Sequence, residues 1–406
     1  MNVLFITLYN IEDISQRGIY EDLLREFIKE KHCVYIVSPS ERRYAKKTHI
    51  IKGKHFKILK VRTGNIQKTS IVEKGISTVL LERQFNAAIK RYFDKVKFDL
   101  VLYSTPPITV MKAVEFIKKR DGARTYLLLK DIFPQNAVDM GMLNRKGIKG
   151  ILYRYFRNKE KKLYALSDHI GCMSQANVDY VLRHNREIDR KKVEICPNCV
   201  EPKDNSVSQE ERMRIRRKYG IPTDREVFVY GGNLGKPQGI SFLIKCLRSQ
   251  KNNQDVFFLI VGSGTEYGKI EKYLEEEKQE NIKLMNKLPK EDYDRMVGSC
   301  DVGMLFLDHR FTIPNFPSRL LSYMEAKLPV LAVTDPNTDV GKTAVQGGFG
   351  WWCESNSVDD FSSMVRLIVN AEKAPMGEAA FDFLKKYYSS HRSYTLIMEK
   401  MRGFGR

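Results

Sequence analysis

The chain has 406 residues, of which 42 % are hydrophobic and 29 % are charged, and these proportions are typical of globular proteins rather than of disordered chains. The length exceeds what a single hydrophobic core usually organises, so we expect two domains of about 200 residues each. The formal net charge of +20 favours an anionic partner, and the lack of zinc-finger spacing or an RNA-recognition motif argues against nucleic acid.

The positive charge is concentrated in the first half of the chain. Positions 1–200 contain 39 lysine and arginine residues against 21 aspartate and glutamate residues, whereas positions 201–406 contain 30 against 28. An anionic membrane or a small polyanionic substrate facing the first half would explain this asymmetry. Ordinary solvated, lysine-rich helices are the alternative interpretation.

Short apolar runs alternate with amphipathic stretches through the first half. The apolar runs predict buried parallel strands at 3–8, 33–38, 100–103, 125–129 and 169–173, with helical patterns such as 21–30 and 110–119 between them. This alternation indicates a doubly wound α/β domain. The first strand does not read as a signal peptide, and no run reaches the ~20 apolar residues that span a bilayer.

Two segments of the first half are basic and amphipathic. Positions 147–167 are rich in Lys, Arg and Tyr. Positions 71–94 place several apolar residues near helical spacing, namely Ile71, Val72, Ile76, Val79, Leu80, Ala88 and Ile89. Because basic helices with aromatic borders bind anionic headgroups, we predict membrane contact here, with ordinary sheet-covering helices as the alternative.

Polar side chains follow the predicted strand at 125–129, where Lys130, Asp131 and Asp139 occur. A carboxylate at a strand end can orient a hydroxyl or act as a base, so Asp131 is a candidate catalytic residue, although a helix cap would have the same sequence. The lone CxxC formed by Cys196 and Cys199 has no second Cys or His pair, so we predict a loop and no metal site. Seven scattered cysteines fit a reducing cytoplasm.

The polar stretch 202–218 predicts a linker that leads into a short helix. A second series of strands follows it at 227–230, 257–261, 282–284, 302–307 and 330–333. We therefore expect two Rossmann-like domains, 1–200 and 201–384, facing a cleft. A last helix at about 379–401 is expected to cross back, so that positions 385–406 join the first domain. Ligands of such sheets bind outside the carboxyl ends of the strands.

Glycines cluster at two of these strand ends. Gly231, Gly232, Gly235 and Gly239 lie between the strand at 227–230 and a helical pattern at 240–247. Such a turn lets the backbone approach anionic oxygens, and Lys236 adds a charge. A second turn contains Gly262. The spacing matches neither a P-loop nor the GxGxxG fingerprint, and a glycine turn without a ligand is the alternative.

The segment 314–330 predicts a helix that begins near Pro317 and Ser318, with Leu320, Leu321 and Met324 on its buried face. Arg319 lies in the first turn of this helix. A cation there opposes the helix dipole, and a bound phosphate would remove the conflict. The pattern therefore predicts a diphosphate site at Arg319.

In this order, the motifs resemble those of retaining glycosyltransferases of family 4, which have the GT-B fold, and within them bacterial O-antigen and capsule enzymes similar to N-acetyl-L-fucosaminyl transferases. The resemblance covers nearly the whole chain. It rests on YGGNLGKPQG, VGSG, DVGMLFL, NFPSRLLSYMEAKLPVLAV, DIFPQNAVDMG, MSQ and PNCV.

The resemblance implies a UDP-linked sugar donor on the second domain, without metal or other cofactor, and an acceptor on the first. The diphosphate would contact the 231–235 loop, Arg319 and Lys236, and the backbone near Asn286 and Leu288 would recognise the base. The remaining matched donor-site positions are Asn233, Asn315, Phe316, Pro317 and Ser318. The implied acceptor is a glycan on undecaprenyl diphosphate, at the cytoplasmic, inner face of the plasma membrane.

The chain departs from the family pattern at several positions. The two glutamates of the usual motif align with Pro314 and Ser322. Glu325 lies three residues after Ser322 and is a substitute on a similar helical face. Asn233 and Gln238 replace a family arginine and lysine. A nucleotide-sugar 2-epimerase of the same fold and a weakly catalytic nucleotide-sugar-binding protein therefore remain alternative functions.

Overall fold

A computed structural model describes residues 1–66, 69 and 71–402. The chain divides into two compact units, one formed by Met1–Glu201 with the segment that begins at Ser390, the other by Pro202–Ser389. The division after Glu201 falls one residue from the predicted boundary. The return to the first unit begins at 390 rather than at about 385, and positions 403–406 of the predicted last segment lie outside the described residues.

The first unit alternates strands and helices, as its apolar periodicity predicts. Its strands are β1 (Asn2–Ile6), β2 (Cys33–Glu41), β3 (His49–Lys52), β4 (Phe56–Thr63), β5 (Leu100–Ser104), β6 (Arg124–Leu129), β7 (His169–Cys172) and β8 (Val193–Ile195). Its helices before the division are α1 (Glu21–Lys29), α2 (Ile71–Tyr92), α3 (Met111–Asp121), α4 (Gln135–Asp139), α5 (Gly147–Leu166) and α6 (Gln175–His184).

These eight strands form one sheet in the order β3-β4-β2-β1-β5-β6-β7-β8. All neighbouring pairs are parallel except β3 and β4, which are antiparallel. The central strands β1 and β5 are buried almost throughout, which is expected of a parallel sheet covered by helices on both faces. The sequence reading missed β3, β4 and β8.

The first helix of the second unit is α7 (Gln209–Tyr219), where the predicted linker leads into a short helix. The strands of this unit are β9 (Glu226–Asn233), β10 (Val256–Ser263), β11 (Ile282–Asn286), β12 (Val302–Phe306), β13 (Val330–Thr334) and β14 (Gly350–Glu354). Its further helices are α8 (Ile240–Ser249), α9 (Tyr267–Glu277), α10 (Lys290–Gly298), α11 (Arg319–Glu325), α12 (Val340–Gln346), α13 (Val358–Val369) and α14 (Ala374–Tyr387).

The second sheet is entirely parallel, in the order β11-β10-β9-β12-β13-β14. The register aligns Gly232 of β9 with Gly262 of β10, and Gly262 with Asn286 of β11. Three of the predicted site residues therefore lie in one row at the carboxyl end of the sheet. Adjacent strands lie about 4.8 Å apart, so this row spans roughly 10 Å.

The single helix predicted at 379–401 is wrong, because two helices occupy this stretch, α14 and α15 (Ser390–Arg402). The backbone N–H of Ser390 donates to the carbonyl of Val200 at 2.8 Å, so it does not continue the helical ladder of α14. Apolar spacing runs across this break without a glycine or proline to mark it. Helix α15 then packs Tyr394, Ile397 and Met398 into the core of the first unit.

The two segments predicted to contact a membrane differ in exposure. In α2, Val79 and Leu80 are exposed, whereas Ala88 and Ile89 are buried, so the predicted apolar set does not share one face. The side chains of Ile71, Val72 and Ile76 lie outside the described residues. In α5, the exposed large apolar residues lie in the N-terminal half of the helix. Among the described residues, no helix combines the length and the apolar character needed to cross a bilayer.

Candidate functional site

The carboxyl end of the second sheet brings backbone segments very close together. Gly232 has a φ of +112°, a conformation that side chains other than glycine rarely adopt. A Cβ atom at Gly262 would lie 1.9 Å from the Gly232 carbonyl oxygen, so only glycine permits this approach. The predicted glycine turns are therefore required by the fold itself, and they leave backbone at the strand ends instead of side chains.

Helix α11 is attached to the end of β9 through Tyr323, which is fully buried. The Gly231 N–H donates to the Tyr323 hydroxyl at 3.0 Å, and this hydroxyl faces the carbonyls of Val229 and Met304 at 3.2 Å each. Burial raises the pKa of Tyr323, so the side chain is a neutral phenol at physiological pH. One hydroxyl thus joins α11 to β9 and β12.

Arg319 lies one helical turn before Tyr323 and points toward the glycine turn. Its guanidinium lies over the Tyr230 ring at 4.4 Å from the ring centroid, and its Cζ would be 3.8 Å from a Cβ atom at Gly232. The side chain is half-buried, and its Nη1 is shielded from solvent without a hydrogen-bond partner among the described residues. The structure therefore brings Gly232 and Arg319 together, as the sequence predicted.

The charge of Arg319 is not compensated by a carboxylate in the described part of the chain, since no ion pair there includes it. Its close neighbours are tyrosines, and burial also raises the pKa of Tyr293, so that this side chain stays neutral as well. A shielded cation without a counter-ion is costly. This arrangement is suited to a ligand that carries negative charge.

The loop that follows β9 is held by Gln238. Its side-chain oxygen accepts hydrogen bonds from Asn233 Nδ2 at 3.0 Å and from the Gly235 N–H at 3.2 Å. Asn233 and Gln238, which replace a family arginine and lysine, are therefore hydrogen-bonded to each other, and neither side chain carries a charge. Lys236, between them in the chain, is exposed and places a positive charge on this loop.

The segment before α11 is fixed mainly through its backbone. The Asn315 carbonyl accepts a hydrogen bond from the Thr338 hydroxyl, and the Phe316 ring packs against Tyr388 with centroids 5.9 Å apart. Pro317 and Ser318 form the turn into the helix. Asn315 Nδ2 is a second buried donor without a partner in the described chain. Two unpartnered donors, on Asn315 and Arg319, thus occur within five positions of each other.

The other predicted donor-site residues are placed less uniformly. Asn286, the last residue of β11, is exposed, and Leu288, two residues later, is half-buried. Strand β11 pairs with β10 on the side opposite to β9. Ser322 is half-buried on α11. Glu325 is 2 % exposed, and its carbonyl accepts a hydrogen bond from the Asn205 N–H at 2.8 Å. Of these two helix residues, Ser322 is therefore the more solvent-accessible and Glu325 is buried.

Asp131 lies in the first unit, directly after β6. Its two carboxylate oxygens accept hydrogen bonds from Asn136 Nδ2 at 2.7 and 2.8 Å, and its N–H donates to the Thr105 hydroxyl at 3.2 Å. Burial raises the pKa of Asp131 to about 6, although the bonds from Asn136 oppose the shift. A carboxyl group that titrates near neutral pH can accept or orient a proton.

The sequence reading missed two groups that shape the site. Tyr230 and Tyr293 surround Arg319 and the backbone of Gly231, and only the position of Tyr230 at a strand end hinted at this. Asp308 follows β12, where its N–H donates to the Pro237 carbonyl at 3.0 Å and its carboxylate binds Arg310 through both oxygens at 2.8 Å. This bidentate pair borders the loop that carries Lys236.

The chain is similar in sequence to known proteins. Residues 211–380 match the family model Glycosyl transferases group 1. The chain is 23 % identical over 328 residues to the probable glycosyltransferase WbjE of Pseudomonas aeruginosa. This alignment covers 80 % of this chain and 79 % of that protein. It is 21 % identical over 208 residues to the putative colanic acid biosynthesis glycosyl transferase WcaI of Escherichia coli. This alignment covers 51 % of this chain and 49 % of that protein.

The fold is also similar to that of solved structures. Anabaena HepE in complex with UDP superposes with a TM-score of 0.69 at 12 % identity, covering 99 % of both chains. The chain therefore has the GT-B fold, and residues 211–380 of its second unit are similar to the group 1 glycosyl transferases. The Arg319 site lies inside the matched region.

Proposed function

We propose that the chain transfers a sugar, a hexose or an N-acetylated deoxyhexose, from a UDP-linked donor to a lipid-linked glycan during assembly of a bacterial surface polysaccharide such as O-antigen or capsule. The observation that carries the proposal is Arg319, which faces Gly232 with a shielded Nη1 and has neither a hydrogen-bond partner for that atom nor an ion pair among the described residues. One bacterial relative is a putative colanic acid biosynthesis glycosyl transferase, which supports the polysaccharide setting.

In this proposal the donor diphosphate lies between the glycine turn and α11. Arg319 donates through its unpartnered Nη1, because charge-assisted bonds from guanidinium to phosphate are short and strong. Lys236 adds a second positive charge from the loop. Asn315 Nδ2 is available for a sugar hydroxyl or a phosphate oxygen, and the row from Gly232 through Gly262 to Asn286 leads toward the base.

The chemistry expected of a family 4 enzyme is substitution with retention of anomeric configuration. The bond from the anomeric carbon to the diphosphate oxygen breaks on the face where the acceptor oxygen bonds, and the departing oxygen accepts the acceptor proton. Arg319 and Lys236 would offset the charge that develops on the leaving group, without a metal ion. Asp131 of the first unit would orient the acceptor hydroxyl.

The acceptor is proposed to be a glycan on undecaprenyl diphosphate, presented at the inner face of the plasma membrane. Positions 1–200 carry 18 more basic than acidic residues, and each basic residue near an anionic surface contributes about 1 kcal/mol of attraction. The exposed apolar residues of α5 give the same unit a surface suited to the bilayer interface. Both features favour a peripheral membrane location.

The experiment is to incubate the purified protein with UDP-sugars, with and without a polyprenyl diphosphate-linked glycan, and to measure UDP release and sugar configuration. Transfer predicts UDP release that requires the acceptor and an α-configured product from an α-configured donor. Arg319→Gln should abolish most of this release, whereas Arg248→Gln, an exposed arginine of the same unit, should not.

Three outcomes would contradict the proposal. A donor converted to its 2-epimer without acceptor would indicate an epimerase. Donor binding without any turnover, across a broad set of sugars and acceptors, would indicate a binding protein. Full activity of Arg319→Gln would remove Arg319 from the donor site.

A further inference from the structure

An exposed apolar surface lies on the N-terminal half of α5 and the turn before it. It is formed by Met142, Ile148, Ile151, Leu152 and Tyr155, of which Ile148 is 88 % and Ile151 is 61 % exposed. Single exposed apolar residues are ordinary, but a contiguous group on one element marks a surface that contacts something apolar. We call this group the α5 apolar surface.

The charge around the α5 apolar surface is strongly positive. Positions 142–162 contain eight lysine and arginine residues and a single acidic residue, Glu160. Lys146, Lys149 and Arg154 are exposed, and within residues 1–66, 69 and 71–402 none of these three makes an ion pair. Apolar side chains surrounded by unpaired cations are complementary to an anionic bilayer, where chains lie beneath phosphate groups.

A polar pocket adjoins this surface. It has a cavity volume of about 40 Å³, which has room for a few water-sized groups such as the oxygens of one phosphate. Tyr153, which lines it, lies on α5 between Leu152 and Arg154, and Ile132, the residue after Asp131, lines it from the other side. The remaining lining residues are Gln135, Arg145, Arg157, Glu160, Tyr164, Tyr180, Val181, His184 and Asn185.

The inner part of the pocket is held by a fixed polar network. Arg157 donates to Glu160 at 2.6 Å, to the His184 carbonyl at 2.9 Å and to Asn185 Oδ1 at 2.6 Å. The Tyr164 hydroxyl donates to the second oxygen of Glu160 at 2.7 Å. The charges of Arg157 and Glu160 therefore cancel, and the wall that they form is already organised.

Among the residues that the structure describes, the pocket residue Arg145 forms no ion pair. Its Nη2 donates to Gln135 Oε1 at 2.8 Å, and its guanidinium lies 5.7 Å from the centroid of the Tyr153 ring. These two contacts orient the guanidinium, and its other N–H groups remain free to donate, because the residue is exposed. An oriented guanidinium at the entrance of a pocket is suited to a phosphate group.

We propose that this pocket binds the phosphate of a membrane lipid headgroup, while the α5 apolar surface inserts between the chains of the same bilayer. Arg145 contacts the phosphate, and Lys146 and Lys149 lie against neighbouring anionic headgroups. The inference deepens the proposed membrane association and rests on it. It is independent of the donor site in the second unit.

The test is flotation of the full-length protein with three kinds of vesicle. One is phosphatidylcholine alone, and the other two contain phosphatidic acid, with its phosphate monoester, or phosphatidylglycerol, matched in surface potential. The wild type is expected to bind phosphatidic acid vesicles best. Arg145→Gln should lose this preference, about a five-fold effect, and Ile148→Ser with Ile151→Ser should weaken binding to all vesicles. Arg42→Gln, an exposed arginine of the same unit, should behave like the wild type.

Several results would overturn the inference. These are equal recovery with the two anionic lipids, an unchanged preference in Arg145→Gln, and complete competition by inorganic phosphate, which would make soluble phosphate the ligand. Sedimentation of the wild type as a dimer that Ile148→Ser and Ile151→Ser dissociate would make the α5 apolar surface an interface between two copies. Circular dichroism confirms folding of each variant. UDP affinity, measured on the same samples, separates failure of this inference from failure of the donor site.

Discussion

Both units place an arginine against a tyrosine ring, but the surroundings of the two arginines differ. Arg319 lies 4.4 Å from the Tyr230 centroid with a shielded, unpartnered nitrogen, in a site built from backbone and buried tyrosines. Arg145 lies 5.7 Å from the Tyr153 centroid and is exposed on a basic surface. We therefore expect ligand binding at Arg319 to depend on shape and short contacts. Binding at Arg145 is expected to depend on charge that salt can screen.

The largest effect is expected where the second unit is most closely packed. In Gly262→Ala the new Cβ would meet the Gly232 carbonyl, and neither backbone segment can move without disturbing the sheet. We expect the free energy of unfolding, measured with urea, to fall by about 2–3 kcal/mol, and UDP binding to weaken with it. Gly268→Ala is the matched control, because no atom lies within 4 Å of its Cβ and alanine favours the helix. Equal stability of the two variants would contradict the close packing of β9 and β10.

Removing the charge of Arg319 should affect ligand binding more than stability. We expect Arg319→Gln to weaken UDP binding by about 1.5–3 kcal/mol, roughly 10- to 100-fold in Kd, as for other hydrogen bonds to charged groups. Arg319→Lys should recover only part of the affinity, because an ammonium group lacks the planar fork. Isothermal titration measures both. Affinity unchanged in Arg319→Gln would show that the diphosphate binds elsewhere.

The pH dependence of the first unit should report Asp131. Its folded-state pKa of about 6 lies above the value of about 3.9 in an unfolded chain. Between these values the folded state keeps a proton that the unfolded state loses, so the free energy of unfolding is highest below pH 4 and falls as the pH rises to 6. We expect the stability of Asp131→Asn relative to the wild type to increase over this interval, by about 1–3 kcal/mol. Urea unfolding at several pH values measures it. A constant difference between the two proteins would contradict the raised pKa.

The smallest single effect is expected on the charged surface of the first unit. Lys149→Gln should lower the affinity for anionic vesicles by about 1 kcal/mol at low salt, and the difference should vanish at high salt because the charge is exposed. Lys245→Gln in the second unit, also exposed, should have no effect. A salt-independent loss in Lys149→Gln would indicate a direct contact instead of long-range attraction.

The sequence predicted the features that follow from local patterns. Buried parallel strands appear as apolar runs, so the central strands of both sheets were found, and glycines at strand ends marked the turn at Gly232. It could not predict what depends on distant partners. The edge strands β3 and β8 and the neighbouring strand β4 lack continuous apolar runs. The break between α14 and α15 depends on the Val200 carbonyl, which is 190 positions before Ser390.

The site shows the same limit. Arg319 was found because a cation in the first turn of a helix is unfavourable, yet α11 has only seven residues, so the guanidinium itself, more than the helix terminus, supplies the positive charge. No local pattern in the sequence marks Tyr230, Tyr293 and Tyr323 as neighbours of Arg319. Their role in holding Arg319 depends on three elements meeting at one point, which no local pattern contains.

The central claim is that the glycine turn of β9 and the start of α11 bind one diphosphate. A crystal structure of the protein with UDP tests it most directly. We predict that diphosphate oxygens lie within hydrogen-bond distance of Arg319 Nη1 and next to the backbone of Gly232. UDP bound at another place, with Arg319 still without a partner, would contradict the account.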